Sequence, residues 1–139
     1  MRLRSDRARG QALAEFAIIL PILVLMLVAI FDLGRLVFAY NDITNAARVG
    51  ARIAIVDQTT NVAHDAAVNA AALGLPTGNV TISYLKSDLS PETGALQLGD
   101  LAKVHVQYTW QPITPVVSAI LGSVNVSTDT TMPIERIYP

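Results

Sequence analysis

The chain contains no cysteine. Thiolate metal sites and disulfides are thereby excluded, although the compartment is not fixed, because many exported proteins lack cysteine. Charge is scarce as well. Asp, Glu, Lys and Arg make up 15% of the residues against 52% hydrophobic, which is apolar-rich and charge-poor for a soluble domain. Histidine is nearly absent: His64 and His105 lie far apart and belong to no cluster with ligand spacing. His64-Asp65 opens an alanine-rich stretch, where a polar start is expected, and His105 falls on the polar phase of a strand pattern. No nucleophile motif surrounds the serines and aspartates. Gly74, Gly78, Gly94 and Gly99 each read as turn residues and do not form a phosphate loop. An enzyme, a metal centre and a cofactor are therefore not expected.

The charge that is present is unevenly placed. The net charge is −1, yet the first nine positions hold Arg2, Arg4, Arg7 and Arg9 against Asp6 alone, while residues 32–139 carry six Lys/Arg against nine Asp/Glu. A mildly acidic body offers no footprint for nucleic acid. The 139 residues suffice for one small domain and an anchor.

The basic head precedes Gly10, Gln11-Ala12-Leu13-Ala14, Glu15 and the uncharged run 16–31, FAIILPILVLMLVAIF. As a helix that run spans about 24 Å, whereas a bilayer core takes roughly 20 residues. Extension back to Gln11 reaches this length and takes in Glu15. A carboxylate costs about 2.5–3.5 kcal/mol at the bilayer centre and less near the interface. At the start of the segment, Glu15 reaches headgroups or a cationic partner. The preceding arginines predict a cytoplasmic N-terminus and an external body. A secretory signal peptide needs small residues just after the apolar run. Residues 28–32 offer no pair of small residues at the −3 and −1 positions, and the alternative Val37-Phe38-Ala39 lies beyond Asp32 and Arg35. A plain single-pass anchor would leave Glu15 incidental, although intramembrane carboxylates are functional by default.

Beyond the anchor, Leu33, Leu36, Val37, Tyr40, Ile43, Ala47, Gly50/Ala51 and Ala54 recur at three-and-four spacing, the stripe of an amphipathic helix. Arg35, Asp42, Arg48 and Arg52 lie mainly off it. One helix of about 69 Å over residues 11–56 is expected, with Pro21 kinking it or freeing the Ala17 carbonyl. Residues 57–61 read as a break. Residues 62–73 read as a second helix, stopped by Gly74 with Pro76 beyond. Three period-two patterns follow: Val80, Ile82, Tyr84; Val104, Val106, Tyr108, Trp110; and Val124, Val126, Thr128. Each implies a strand with one buried face. Residues 86–100 are expected to form a mobile hairpin tip, and residues 111–122 one short helical turn.

Three strands make a thin sheet that needs a cover, which the 36–54 face of the long helix supplies. The expected fold is α+β: a transmembrane and stem helix on a small, mainly antiparallel three-stranded sheet with a second short helix. The expected division is a leader at 1–10, a transmembrane helix at 11–32 and an extracytoplasmic head at 33–139. Ala46, Ala47, Gly50, Ala51 and Ala54 form a small-residue surface, packed by the protein's own sheet or, alternatively, by a neighbouring helix. Arg48 and Arg52 lie four apart, on a solvated face or in an ion pair between subunits.

The N-terminal string resembles a class III, type IV pilin-type signal, with a basic leader ending in Gly10, a glutamate five residues on and a long apolar stretch. Glu15-Phe16 is similar to the Glu-Tyr pair of Flp pilins, with Phe for Tyr as a mild departure. More of the chain, residues 9–52, resembles the TadE-like family of the tight-adherence pilus systems. The marks are Gly10-Gln11, Glu15-Phe16, Pro21, Gly34-Arg35 and Asn45-Ala46-Ala47-Arg48-Val49-Gly50-Ala51-Arg52. A weaker echo covers residues 104–113 and 132–136, where family members often carry an aromatic-Gln-Pro segment and a terminal Met-x-x-Glu.

The resemblance implies a pseudopilin or minor pilin with a pilin-like fold. It implies cleavage between Gly10 and Gln11 by a prepilin peptidase, and partners in the lipid bilayer, the inner-membrane pilus platform and other pilin or pseudopilin subunits. It gives Glu15 and Phe16 roles in processing and assembly. It places Gly34, Arg35, Ala47, Arg48, Gly50, Ala51 and Arg52 in helix packing or an interface. Glu15 could pair with the new amine of Gln11 on a neighbouring subunit. The competing expectations are an uncleaved anchored binding protein and an exported soluble protein cut near Ala39.

Overall fold

A computed structural model describes residues 3–137. Met1 and Arg2 of the basic leader lie outside the described residues. A single helix, α1 (Leu3–Ala54), is followed by α2 (Thr60–Ala70), strand β1 (Val80–Leu85), strand β2 (Leu101–Trp110), a short helix α3 (Pro115–Leu121) and strand β3 (Val124–Pro133). The strands form one antiparallel sheet in the order β1-β2-β3. The fold is therefore α+β, with one long helix on a three-stranded sheet.

Helix α1 starts earlier than expected and runs unbroken through Gly10 and Pro21. Glycine costs a helix only about 1 kcal/mol, and the flanking Ala, Arg and Leu residues are good formers. Pro21 has no N–H to offer the Ala17 carbonyl, yet no break follows.

The sheet alternates as its sequence predicts. Val80, Val104, Val106, Ala102 and Trp110 are buried on the inner face. The outer face pairs Thr81 with His105, His105 with Asp129, and Thr109 with Asn125. Helix α1 covers β2 and β3 on the inner face, and α2 packs on α1 and β1. The core therefore lies between α1, α2 and the sheet: Ile43, Ala46, Ala47 and Ala51 from α1, Ala67 from α2, and Val80, Val104 and Val106 from the strands. The C-terminal segment closes the far end. Ile134 is buried, and the amides of Glu135 and Arg136 both donate to the Ile55 carbonyl at 3.2 Å.

Two local readings need correction. The lower part of the expected stripe is out of phase: Leu33, Val37 and Tyr40 are exposed, while Asp32 and Ala39 are buried. Helix α2 ends at Ala70, before the expected Gly74. The Asp42 carboxylate takes the amides of Ala72 and Leu73, both at 3.0 Å, which would otherwise extend the helix. The β1–β2 connection, residues 86–100, carries contacts of its own. Lys86 donates to the Ser90 carbonyl at 2.8 Å, Glu92 donates to the Tyr84 carbonyl at 3.1 Å, and Leu96 packs on the core.

Candidate functional site

The first half of α1 is bare. Phe16, Ile19, Ile22, Met26, Ile30 and Phe31 are among its exposed apolar side chains. Its most apolar window of 18 residues has a mean hydropathy of 2.9 and is only 6% buried. It is the one helix, among the described residues, long and apolar enough to cross a membrane. The described residues cover little of it beyond its end near Val28 and Ala29, so about 25 cal/mol for each Å² of apolar surface favours some other cover.

Gly10, Gln11, Glu15 and Phe16 are all exposed on this bare half. The Gln11 Nε2 donates to Glu15 Oε1 at 3.0 Å, one turn along the same helix. The structure thus brings Gln11 and Glu15 together within one chain. Gly10 faces open space, and Pro21 is exposed in mid-helix.

The bare half ends at a junction that sequence reasoning missed. Asp32 is 3% exposed. Its carboxylate accepts the amides of Ile113 and Thr114, both at 3.1 Å, and Arg35 approaches at 3.4 Å. Those two amides lie at the start of α3, where Thr114 is the N-cap and Pro115 opens the helix. Trp110 and Pro112, from the aromatic-Gln-Pro segment, are buried nearby in sequence. Asp32 thus fastens the β2–α3 turn to α1, much as Asp42 fastens the end of α2. Each aspartate binds two consecutive backbone amides of another segment with its two carboxylate oxygens. A carboxylate at the edge of an apolar run was the available signal, but nothing local names its partners.

Beyond the junction, small residues let the elements approach. Ala47, Gly50 and Ala51 are buried within this chain's own head. A Cβ on Gly50 would meet the Ala67 Cβ at 2.9 Å, the Ala63 carbonyl oxygen at 3.3 Å and Val104 Cγ1 at 3.4 Å. Glycine is needed there by the approach of α2 and not by backbone conformation. Gly34 has open space around it. Arg48 and Arg52 are exposed on the opposite side of α1.

Both histidines make local contacts. His64 Nε2 lies 2.8 Å from the Thr77 carbonyl; a carbonyl only accepts, so that nitrogen carries the proton. His105 Nδ1 lies 2.6 Å from Asp129 Oδ1, and Lys103 Nζ lies 3.1 Å from Oδ2. The His105 contact, helped by Lys103 and opposed by partial burial, holds the Asp129 carboxyl below its ordinary value of 3.8. An exposed pair of this kind adds little stability. Among the described residues, no group of three or more His, Asp or Glu is placed to hold a metal ion.

A small α+β head clasping one half of a helix, with the other half apolar and bare, fits a single-pass membrane anchor. Residues 10–52 match the family model described as TadE-like protein. The match takes in the bare half and both aspartate fasteners, but less than half of the chain; the echoes at 104–113 and 132–136 lie outside it. No match occurs among curated proteins or solved structures.

Proposed function

We propose that this chain is a pseudopilin or minor structural subunit of a Tad-type pilus, acting in pilus biogenesis or adhesion. The observation that carries the reading is the TadE-like match at 10–52, laid on a helix whose apolar first half is left mostly exposed by the described residues. In this reading residues 1–10 are a leader removed by a prepilin peptidase, and residues 11–32 hold the chain in the cytoplasmic membrane with its N-terminus inside. Residues 33–139 form the external head. The bare half of α1 rests in lipid first. It then packs on other pilin or pseudopilin subunits, delivered through the inner-membrane platform. Burial between helices leaves the new Gln11 amine needing a counter-charge. Glu15, one turn away on its own helix and within reach of a neighbour's, supplies it. Removing one member of a buried pair costs about 3–5 kcal/mol, so the pair favours one axial register.

The test is the intact mass of the chain extracted from membranes of cells that carry the pilus system. It should lack residues 1–10, and Gly10→Val should retain them. Retention of Met1 in the wild type would favour the uncleaved anchored binding protein.

A further inference from the structure

We infer that α3 and the turn before it rest on the surface of the bilayer that α1 crosses, giving the head a second lipid contact. This rests on the membrane-anchored reading of α1 and not on its place in a pilus.

The first observation is depth. Val117, Ile120 and Leu121 of α3 share an open apolar groove of about 240 Å³ with Ala29 and Leu33 of α1. Ala29 belongs to the uncharged run 16–31. A segment lying against Ala29 is therefore level with the edge of the hydrocarbon, not up in the body of the head.

The second observation is length. The run 16–31 covers about 24 Å as a helix, short of the roughly 30 Å hydrocarbon core. Asp32 would end it in the sequence, but in the fold its carboxylate is buried beneath the Ile113 and Thr114 amides. The surface that lipid meets is thus uncharged from Phe16 to Gly34, or about 28 Å. Arg35 is the first exposed charge, and its long side chain can lift its head toward water. The segment that hides Asp32 is the segment that carries α3.

The third observation is the face itself. Helix α3, PVVSAIL, has no charged residue, and none occurs from 106 to 128. Ile113 is 72% and Ile120 77% exposed, with Val116 and Leu121 exposed beside them. Apolar surface of this kind on one side of a short uncharged segment suits the headgroup and acyl boundary. It continues the lipid-facing surface of α1 without a polar interruption, which favours the bilayer over a second protein as its cover.

The chain lacks cysteine, so single thiols can be placed cleanly. The full chain carrying Ile120→Cys is labelled with an environment-sensitive nitrobenzoxadiazole dye. It is placed one copy per nanodisc, with or without lipids bearing a nitroxide near the headgroup. Leu23→Cys reports the spanning helix, and Thr131→Cys on the outer sheet face reports water. The dye at Ile120 should emit to the blue of that at Thr131 and lose most of its emission with the nitroxide lipid, while Thr131 loses none. Water-like, unquenched emission at Ile120 beside a membrane-embedded Leu23 label would overturn the inference. So would a blue shift at Ile120 found only with several copies per disc, which would assign the face to a neighbouring subunit. A Leu23 label in water would remove the spanning helix and this inference with it.

Discussion

The two halves of α1 invert the usual relation between size and burial. Up to Phe31 the helix presents Leu, Ile, Phe and Met and leaves most of them exposed. From Asp32 onward it buries Ala39, Ala46, Ala47, Ala51 and Ala54, with Ile43 the only large apolar side chain in the set. Helix α2 answers with Ala63 and Ala67, and Ala71 follows just past its end. Hydrophobicity alone does not decide which half is covered. Small side chains bring a second helix and a sheet close, so that many weak contacts add up. Large ones suit a surroundings that adapts to them, as lipid tails or other apolar helices do.

The largest expected effect comes from separating the halves. A fragment of residues 31–139 keeps Asp32 and the alanine stripe. It should be soluble and unfold cooperatively in urea, as followed by circular dichroism. A fragment of residues 61–139 loses the cover of its sheet and should aggregate or stay unfolded. A stable 61–139 fragment would show that the covered half of α1 is dispensable to the head. A start at Leu33 would discard the Asp32 fastener, so the break belongs before it.

Next comes the closeness of the packing. Gly50→Leu forces the Ala67 Cβ and the Ala63 carbonyl away and should cost about 3 kcal/mol as overpacking. Gly50→Ala sets a smaller clash against about 1 kcal/mol of helix propensity gained and should lose less. Both are read as shifts in the urea midpoint of the 31–139 fragment. An increase in stability for Gly50→Ala would mean that α2 yields easily and that the approach is loose.

Smaller again is the fastening of α2. Asp42→Ala strips acceptors from the Ala72 and Leu73 amides in a partly exposed site and should cost about 2 kcal/mol. Asp42→Asn keeps one acceptor oxygen and should lose about half of that. Amide hydrogen exchange at Ala72 and Leu73 should speed up in both variants, while Val104 and Val106 in the central strand change less. Unchanged exchange at the two amides would show that the carboxylate does not hold them.

Much of this was legible in the sequence. The three strands follow from alternation around Val80, Val104 and Val126, because a sheet with one solvated face leaves a period of two. The buried positions from Ile43 upward follow from three-and-four spacing. Below Ile43 the same rule picks Leu33, Val37 and Tyr40, which the structure leaves exposed. Apolar spacing reports an apolar surroundings, and cannot say whether protein or lipid supplies it. Asp32 and Asp42 were unreadable for another reason. Their partners lie 81 and 30 residues away in sequence and are backbone amides, which carry no residue-type signature. Glu15 was conspicuous because its position within an apolar segment is itself improbable, whatever it pairs with.

The central claim is that the bare half of α1 serves assembly as well as anchorage. The direct measurement compares wild type and Glu15→Gln in the same cells, scoring membrane abundance, leader removal and recovery in sheared filaments. The wild type should appear in all three, without residues 1–10. Glu15→Gln should reach the membrane and lose its leader, yet disappear from the filaments. Equal filament recovery would contradict pairing between subunits at Glu15, and absence of the wild type from filaments would contradict the assembly role itself.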